Sequence, residues 1–178
     1  MTNARIVELT AQRLSDMNRA NEPFEVIGRV CPALFDGQWT YAEALDDVPS
    51  EKLYPVDNVD YSAYIGSPDR IVYLAYDGDA CVGQIVLRRD WNKYAFIEDI
   101  AVARAARGHG VGSALIGAAE AWARQAGLRG LALETQDTNV WACRFYRKQG
   151  FRLGGVNTEL YRALGSRDIA LFWYRPFD

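Results

Sequence analysis

Cysteine is scarce in this 178-residue chain: Cys31, Cys81 and Cys143, odd in number and scattered. Neither a disulfide framework nor a zinc site is expected from them, and reduced thiols in a cytoplasm are the natural reading. Histidine occurs once, as His109, and no metal centre is expected. No apolar run approaches the roughly 20 residues that span a bilayer. The opening MTNARIVELTAQRLSDM has no apolar core before a small-residue cleavage site, so no secretory signal is expected. Repeats, low-complexity tracts and linkers are also missing. What remains is one domain, residues 1–178, large enough for a real core.

Charge is present but uneven. The net charge of −3 conceals two opposed segments. Residues 43–60 hold Glu43, Asp46, Asp47, Glu51, Asp57 and Asp60 against Lys52 alone, net −5. Residues 104–152 hold eight Arg and Lys against Glu120, Glu134 and Asp137, net +5. The first segment suits a cation and the second an anion. A nucleic-acid partner is not expected, because the whole chain is acidic and its bases gather around one glycine loop.

The N-terminal third reads as a short strand (4–10), a helix over 11–20 capped by Thr10, and β-prone runs at 24–34 and 39–45. An acidic loop with Pro49 and Pro55 should follow over 46–58. From Arg70 the pattern is clearer. Strands at 71–76, 80–89 and 94–102, joined by Asp77-Gly78-Asp79 and by residues 90–93, make an antiparallel meander. Val111, Leu115, Ile116, Ala119 and Trp122 recur at helical spacing over 111–125. A strand at 131–135, a helix at 140–148 with Asp137, Thr138 or Asn139 as its cap, and strands at 151–156 and 169–174 complete the chain. The fold class is α+β, with a mixed, largely antiparallel sheet and helices on both of its faces.

Between the third meander strand and the first long helix lies Arg107-Gly108-His109-Gly110-Val111-Gly112-Ser113. Glycine lets a ligand approach the backbone, and a helix start presents unpaired N–H groups to an anion. A phosphate-bearing cofactor is the expectation. A Rossmann fingerprint does not fit, because position 115 is Leu and the strand before the loop belongs to a meander.

The loop matches Q/R-x-x-G-x-G/A, and Asn139, Ala142, Phe145, Tyr146, Gly150 and Phe151 match N-x-x-A-x-x-hydrophobic-Y-x-x-x-G-F. In both motifs the chain resembles the GCN5-related N-acetyltransferase (GNAT) superfamily. Through DWNKYAFIEDIAV, LETQDTNVWACRFYRKQGFRLGG and the tail IALFWYRPF it resembles most the streptothricin acetyltransferases within it. The resemblance implies acetyl-CoA as co-substrate, its pyrophosphate on the N–H groups of Arg107, Gly108, His109, Gly110, Val111, Gly112 and Ser113. It implies that the backbone of Ile100, Ala101 and Val102 meets the pantetheine arm and that Asn139 touches it. Tyr146 matches the general acid. The acceptor would be a small cationic amine, streptothricin first and an aminoglycoside, polyamine or protein N-terminus next. A non-catalytic acyl-CoA-binding module is the reading from another class. A homodimer is common among such relatives.

Transfer to an amine needs the amine neutral, and an alkylammonium has a pKa near 10, so a base is required. Glu98 and Glu134 match acidic positions used by some family members. Glu98 ranks slightly first, because a carboxylate inside Phe96-Ile97-Glu98-Asp99-Ile100 needs a reason. Asp90, Trp91, Tyr94 and Glu98, with the 43–60 acids, are the candidate acceptor contacts. Arg104 and Arg107 are candidates for direct phosphate contact.

Overall fold

The computed structural model describes residues 4–56 and 58–177. Asp57, counted among the acids above, lies outside the described residues. In chain order the strands are β1 (Arg5–Glu8), β2 (Phe24–Phe35), β3 (Gln38–Lys52), β4 (Arg70–Asp77), β5 (Ala80–Arg89), β6 (Ala95–Val102), β7 (Gly130–Gln136), β8 (Arg152–Asn157) and β9 (Ala170–Pro176), with helices α1 (Val111–Gln125) and α2 (Val140–Lys148). The class is α+β and most strand pairs are antiparallel. Internal contacts divide the chain into two compact units. One holds the residues up to Pro23, Leu53–Leu131 and the tail from Pro176, and the other holds Phe24–Lys52 and Ala132–Arg175.

The first unit is built on the antiparallel order β1-β4-β5-β6. Gly78, at φ 58°, makes the tight turn from β4 to β5. Helix α1 lays the expected stripe, Val111, Leu115, Ile116, Ala119 and Trp122, against this sheet. Close approach depends on Gly83: a Cβ there would sit 3.0 Å from Val111 Cγ1 and 3.2 Å from Leu115 Cδ1. Leu115 and Ile116 are fully buried, each contributing about 1.5–3 kcal/mol of transfer free energy before ordering costs. A second cluster joins Leu9, Tyr64, Val72, Leu74, Tyr76 and Val86.

One expected helix here is shorter and tighter. Residues 11–16 form a 3-10 turn, not an α-helix over 11–20, and Thr10 makes no side-chain cap bond. The chain turns away because Asn18 adopts φ 64° and gives its N–H to Gln84 Oε1, 2.7 Å away, instead of to a helical carbonyl.

In the second unit β9 lies between β7 and β8, and β2 and β3 form a separate hairpin. Helix α2 packs on β2. The acidic stretch from Asp46 to Lys52 is strand, where a loop was expected. Its register explains how Pro49 is tolerated. Pairing passes from Gly28↔Leu45 to Val26↔Ser50, so residues 46–49 stand opposite Ile27 alone. Within such a bulge no ladder hydrogen bond is asked of the proline. Gly28 completes the device at φ 142°, since a Cβ there would lie 2.1 Å from the Ala44 carbonyl oxygen.

Asp137, at the end of β7, braces this unit and was not foreseen beyond a possible cap. Its side chain is fully buried. Oδ1 accepts from Ile169 N–H at 2.8 Å, and Oδ2 accepts from Arg29 Nη1 at 3.2 Å. Burial pushes its carboxyl above the usual range, while the Ile169 bond and the Arg29 charge pull the other way.

Candidate functional site

In the first unit β6 runs into an exposed glycine loop and then into α1. Gly108 and Gly110 take φ 78° and 93°, and Gly110 is the residue before the first helical turn. At the start of the helix Ala114 N–H donates to the Gly110 carbonyl at 3.0 Å. A helix start of this kind directs its first N–H groups toward the loop, which suits a phosphate. His109 is exposed within this loop. Ile100, Ala101 and Val102 pair with Ile85, Gln84 and Gly83 of β5.

The arginines behave differently from expectation. Arg107 donates through Nε to Val102 O at 2.9 Å, through Nη1 to Pro23 O at 3.1 Å and through Nη2 to Glu22 O at 3.3 Å. Arg104 Nη2 also donates to Pro23 O, at 3.2 Å. Both guanidinium groups clamp the 22–23 turn onto the loop, and burial holds Arg107 below the usual arginine range. The loop offers an anion its backbone first.

Glu98 stands at a bulge. Pairing steps from Val86↔Asp99 to Leu87↔Ile97, leaving Glu98 as the extra residue of β6. A bulge re-aims a side chain. Here it aims Glu98 at two partners: Tyr64 Oη donates to Oε2 at 2.7 Å, and Arg88 Nε lies 3.2 Å from Oε1. Arg88 also reaches Asp90 Oδ1 at 2.7 Å and stacks over Phe96. Burial, then the Glu98 hydrogen bond, push the Tyr64 phenol up to about 12.

Asp90 and Trp91 line an open pocket of about 580 Å³ together with Asp69, Arg70, Arg88 and Arg89. Three arginines meet two aspartates there, and Asp90 is paired with Arg88. Trp91 is 91 % exposed, so it is the member of this wall most open to an approaching molecule. Tyr94 sits at the turn into β6, where its N–H donates to Asn92 Oδ1 at 3.1 Å.

In the second unit Asn139 is the true cap of α2, accepting from Ala142 N–H at 3.1 Å. Tyr146 is 6 % exposed, its ring 5.8 Å from Phe151 and 6.3 Å from Trp173 by centroids. Glu134, half-buried on β7, meets a residue that sequence reasoning did not single out. Tyr161 Oη stands 2.7 Å from both Oε1 and Oε2. Burial raises the Glu134 carboxyl above its ordinary range, and the Tyr161 hydrogen bond lowers it less. Of the 43–60 acids, Glu43 is bound by Arg144, with Nη2 to Oε2 at 2.5 Å. Asp60 accepts from Ser62 N–H at 3.0 Å, and Asp46 and Asp47 are exposed on β3.

Cys31 is exposed, Cys81 half-buried and Cys143 buried, its thiol pushed up to about 12 by burial. Among the described residues no group of three His, Cys, Asp or Glu could hold a metal ion. No described helix is long and apolar enough to cross a membrane.

Comparison with known proteins agrees with this arrangement. The model of the acetyltransferase (GNAT) family matches residues 33–151. Streptothricin acetyltransferase A of Bacillus subtilis (strain 168) is 44% identical over 173 residues, 97% of this chain and 99% of that protein. A crystal structure from Bacillus anthracis str. Ames, described as a streptothricin acetyltransferase in complex with acetyl coenzyme A, superposes with a TM-score of 0.91. It is 36% identical, with 98% of this chain and 99% of that one covered. A nourseothricin acetyltransferase structure gives a TM-score of 0.83 at 31% identity, covering 98% of this chain and 99% of that one.

Proposed function

The chain belongs to the acetyltransferase (GNAT) family, and on that footing we propose that it transfers the acetyl group of acetyl-CoA to an amino group of streptothricin, on the β-lysine moiety, and so confers resistance to the antibiotic. The observation that carries this reading is the exposed glycine loop at the start of α1, retained in a chain whose full-length likeness is to streptothricin acetyltransferases. We further propose that it works in the cytoplasm, in keeping with three free thiols.

Acetyl-CoA supplies the activated acetyl thioester. The residues that fit it are Arg107, Gly108, His109, Gly110, Val111, Gly112 and Ser113, through backbone N–H groups at the pyrophosphate. Ile100, Ala101 and Val102 serve the pantetheine arm by their backbone, with Asn139 as a further contact. Tyr146 is the general acid: its Oη gives a proton to the departing sulfur. The acceptor amine must lose a proton before attack. Glu134 takes that role ahead of Glu98, reversing the order the sequence suggested. Glu98 has its oxygens engaged by Tyr64 and Arg88, so accepting a proton there would disrupt an ion pair. Glu134 accepts its hydrogen bond from the neutral Tyr161 phenol, and burial favours its protonated form. Trp91 offers a face for a cation, and the exposed Asp46 and Asp47 add long-range attraction.

The direct test is thiol release from acetyl-CoA in the presence of streptothricin. Release with another amine and none with streptothricin would assign the chain a different acceptor. The loop has its own test in Gly110→Ala. At φ 93° an L side chain is strained by about 1–2 kcal/mol. The KM for acetyl-CoA should rise about tenfold, one decade per 1.4 kcal/mol, with kcat largely kept. An unchanged KM would remove the loop from the binding assignment.

A further inference from the structure

The loop from Thr158 to Ile169, between β8 and β9, is fastened at both ends. At its start Asn157 Oδ1 accepts from Glu159 N–H at 2.9 Å and Leu160 N–H at 3.0 Å. At its end Asp168 Oδ2 receives Lys52 Nζ at 2.6 Å and the Ser166 hydroxyl at 2.9 Å. Between these anchors the Tyr161 carbonyl accepts from Leu164 and Ser166 N–H, at 3.0 and 3.2 Å, closing a turn completed by Gly165 at φ 76°. This scaffolding fixes the Tyr161 backbone, and its side chain reaches across 27 residues of sequence to Glu134.

The contact has an unusual form for a surface loop. One hydroxyl bisects a carboxylate, at 2.7 Å from each oxygen. A single O–H can point at either oxygen, so the carboxylate is held in plane and in rotation while lone pairs on both oxygens stay available. Glu98 is held differently, each oxygen by its own partner and one of these a cation. Several charged groups of the second unit have partners of their own. Lys52 binds Asp168 and Gln136, Arg29 binds Asp137, Arg144 binds Glu43, and Arg162 binds Glu159. Among the described residues Tyr161 is the side chain that donates to Glu134.

We propose that Tyr161 is a positioning residue for the reaction: from an anchored loop it orients the Glu134 carboxylate and stabilises its ionised form against the surrounding desolvation. This inference rests on Glu134 as the base. The tyrosine touches the base and leaves substrate and co-substrate to other residues. Its hydrogen bond opposes burial, so the carboxylate forms at a lower pH than burial alone would allow. Removing the hydroxyl should raise the pH at which Glu134 ionises.

Tyr161→Phe keeps the ring and deletes only the donor. The Glu134 carboxyl is read directly by carbon-13 NMR titration of the free enzyme, its resonance assigned by its loss in Glu134→Gln. The expected result is an upward shift of its titration by about one pH unit, the order of one hydrogen bond to an ionised group. The acid limb of kcat/KM for streptothricin should move up equally, because the amine's own ionisation is common to both proteins. A thermal melt within a few degrees of the parent shows that the fold is kept. The pH profile of Glu134→Gln should not move when Tyr161→Phe is added. An unmoved carboxyl titration overturns the proposal, and so does an equal shift of the limb in the Glu134→Gln background. If the carboxyl shifts but Glu134→Gln keeps its full rate at every pH, the pairing stands. The reading of Glu134 as base then fails by itself, and the proposed part in catalysis with it.

Discussion

Replacing Tyr146 with Phe should lower kcat about a hundredfold, the lower end of what a positioned general acid contributes, while acetyl-CoA binds as before. The expectation follows from where the phenol sits. Tyr146 is buried on α2 among Phe145, Phe151 and Trp173. Those contacts fall on the ring, which Phe retains, so packing should survive. What disappears is the group proposed to protonate the departing thiolate. Any hydrogen bond the hydroxyl makes adds a stability loss of about 1 kcal/mol, a modest shift in melting temperature. Calorimetry with acetyl-CoA and thiol release with streptothricin separate the two roles. Unchanged turnover would make Tyr146 a core aromatic and reopen the reading of a binding module without chemistry. Weakened acetyl-CoA binding with kcat intact would make it a cofactor contact alone.

The parts of the fold that could be read from the sequence are those where burial imposes a period. Helix α1 keeps the stripe from Val111 to Trp122, and the observed bounds Val111–Gln125 are those the spacing predicts. The meander β4-β5-β6 was read instead from near-continuous apolar runs punctuated by Asp77-Gly78-Asp79. The run 39–45 was β-prone, but the continuation of β3 past Leu45 was hidden because every residue from Ala42 to Glu51 is exposed. With no buried face there is no alternation to detect, and Pro49 and four acids imitate a loop. Its pairing depends on backbone and on the bulge opposite Ile27, which no side-chain pattern announces. The site divides in the same way. The glycines, Asn139 and Tyr146 lie in contiguous motifs, so the sequence alone could propose them. Arg88 was within reach, because a short link folds β5 back beside β6 and brings Arg88 opposite Phe96, two residues from Glu98. Tyr161 carried no signal: it lies in an irregular loop, and its partner is on a strand reached only through an intervening helix.

The two carboxylates make opposite predictions when each becomes an amide. Glu134→Gln should lower kcat about a hundredfold near neutral pH, in line with loss of a positioned base. The sign of its pH dependence follows from both partners. An alkylammonium with a pKa near 10 is almost wholly protonated at neutrality and needs the base most there. As pH rises the amine becomes neutral in solution, so the variant should gain on the parent. At low pH the parent itself declines, because a carboxyl raised by burial is protonated earlier than an ordinary glutamate. The gap should therefore be widest at intermediate pH and narrow on both sides. Glu98→Gln is the contrast. It removes one charge from a pair in which Arg88 and Glu98 side chains are 34% and 30% exposed, worth about 1 kcal/mol or less. Arg88 keeps Asp90 and the stacking on Phe96. Stability should change little, and kcat should stay within about threefold, a difference below 1 kcal/mol in barrier. Full pH profiles of kcat and kcat/KM for both variants decide the matter. A large loss confined to Glu98→Gln would transfer the base to the bulge of β6. Its partners Tyr64 and Arg88 would then be the groups that tune it, and Tyr161 would be left with a structural bond alone.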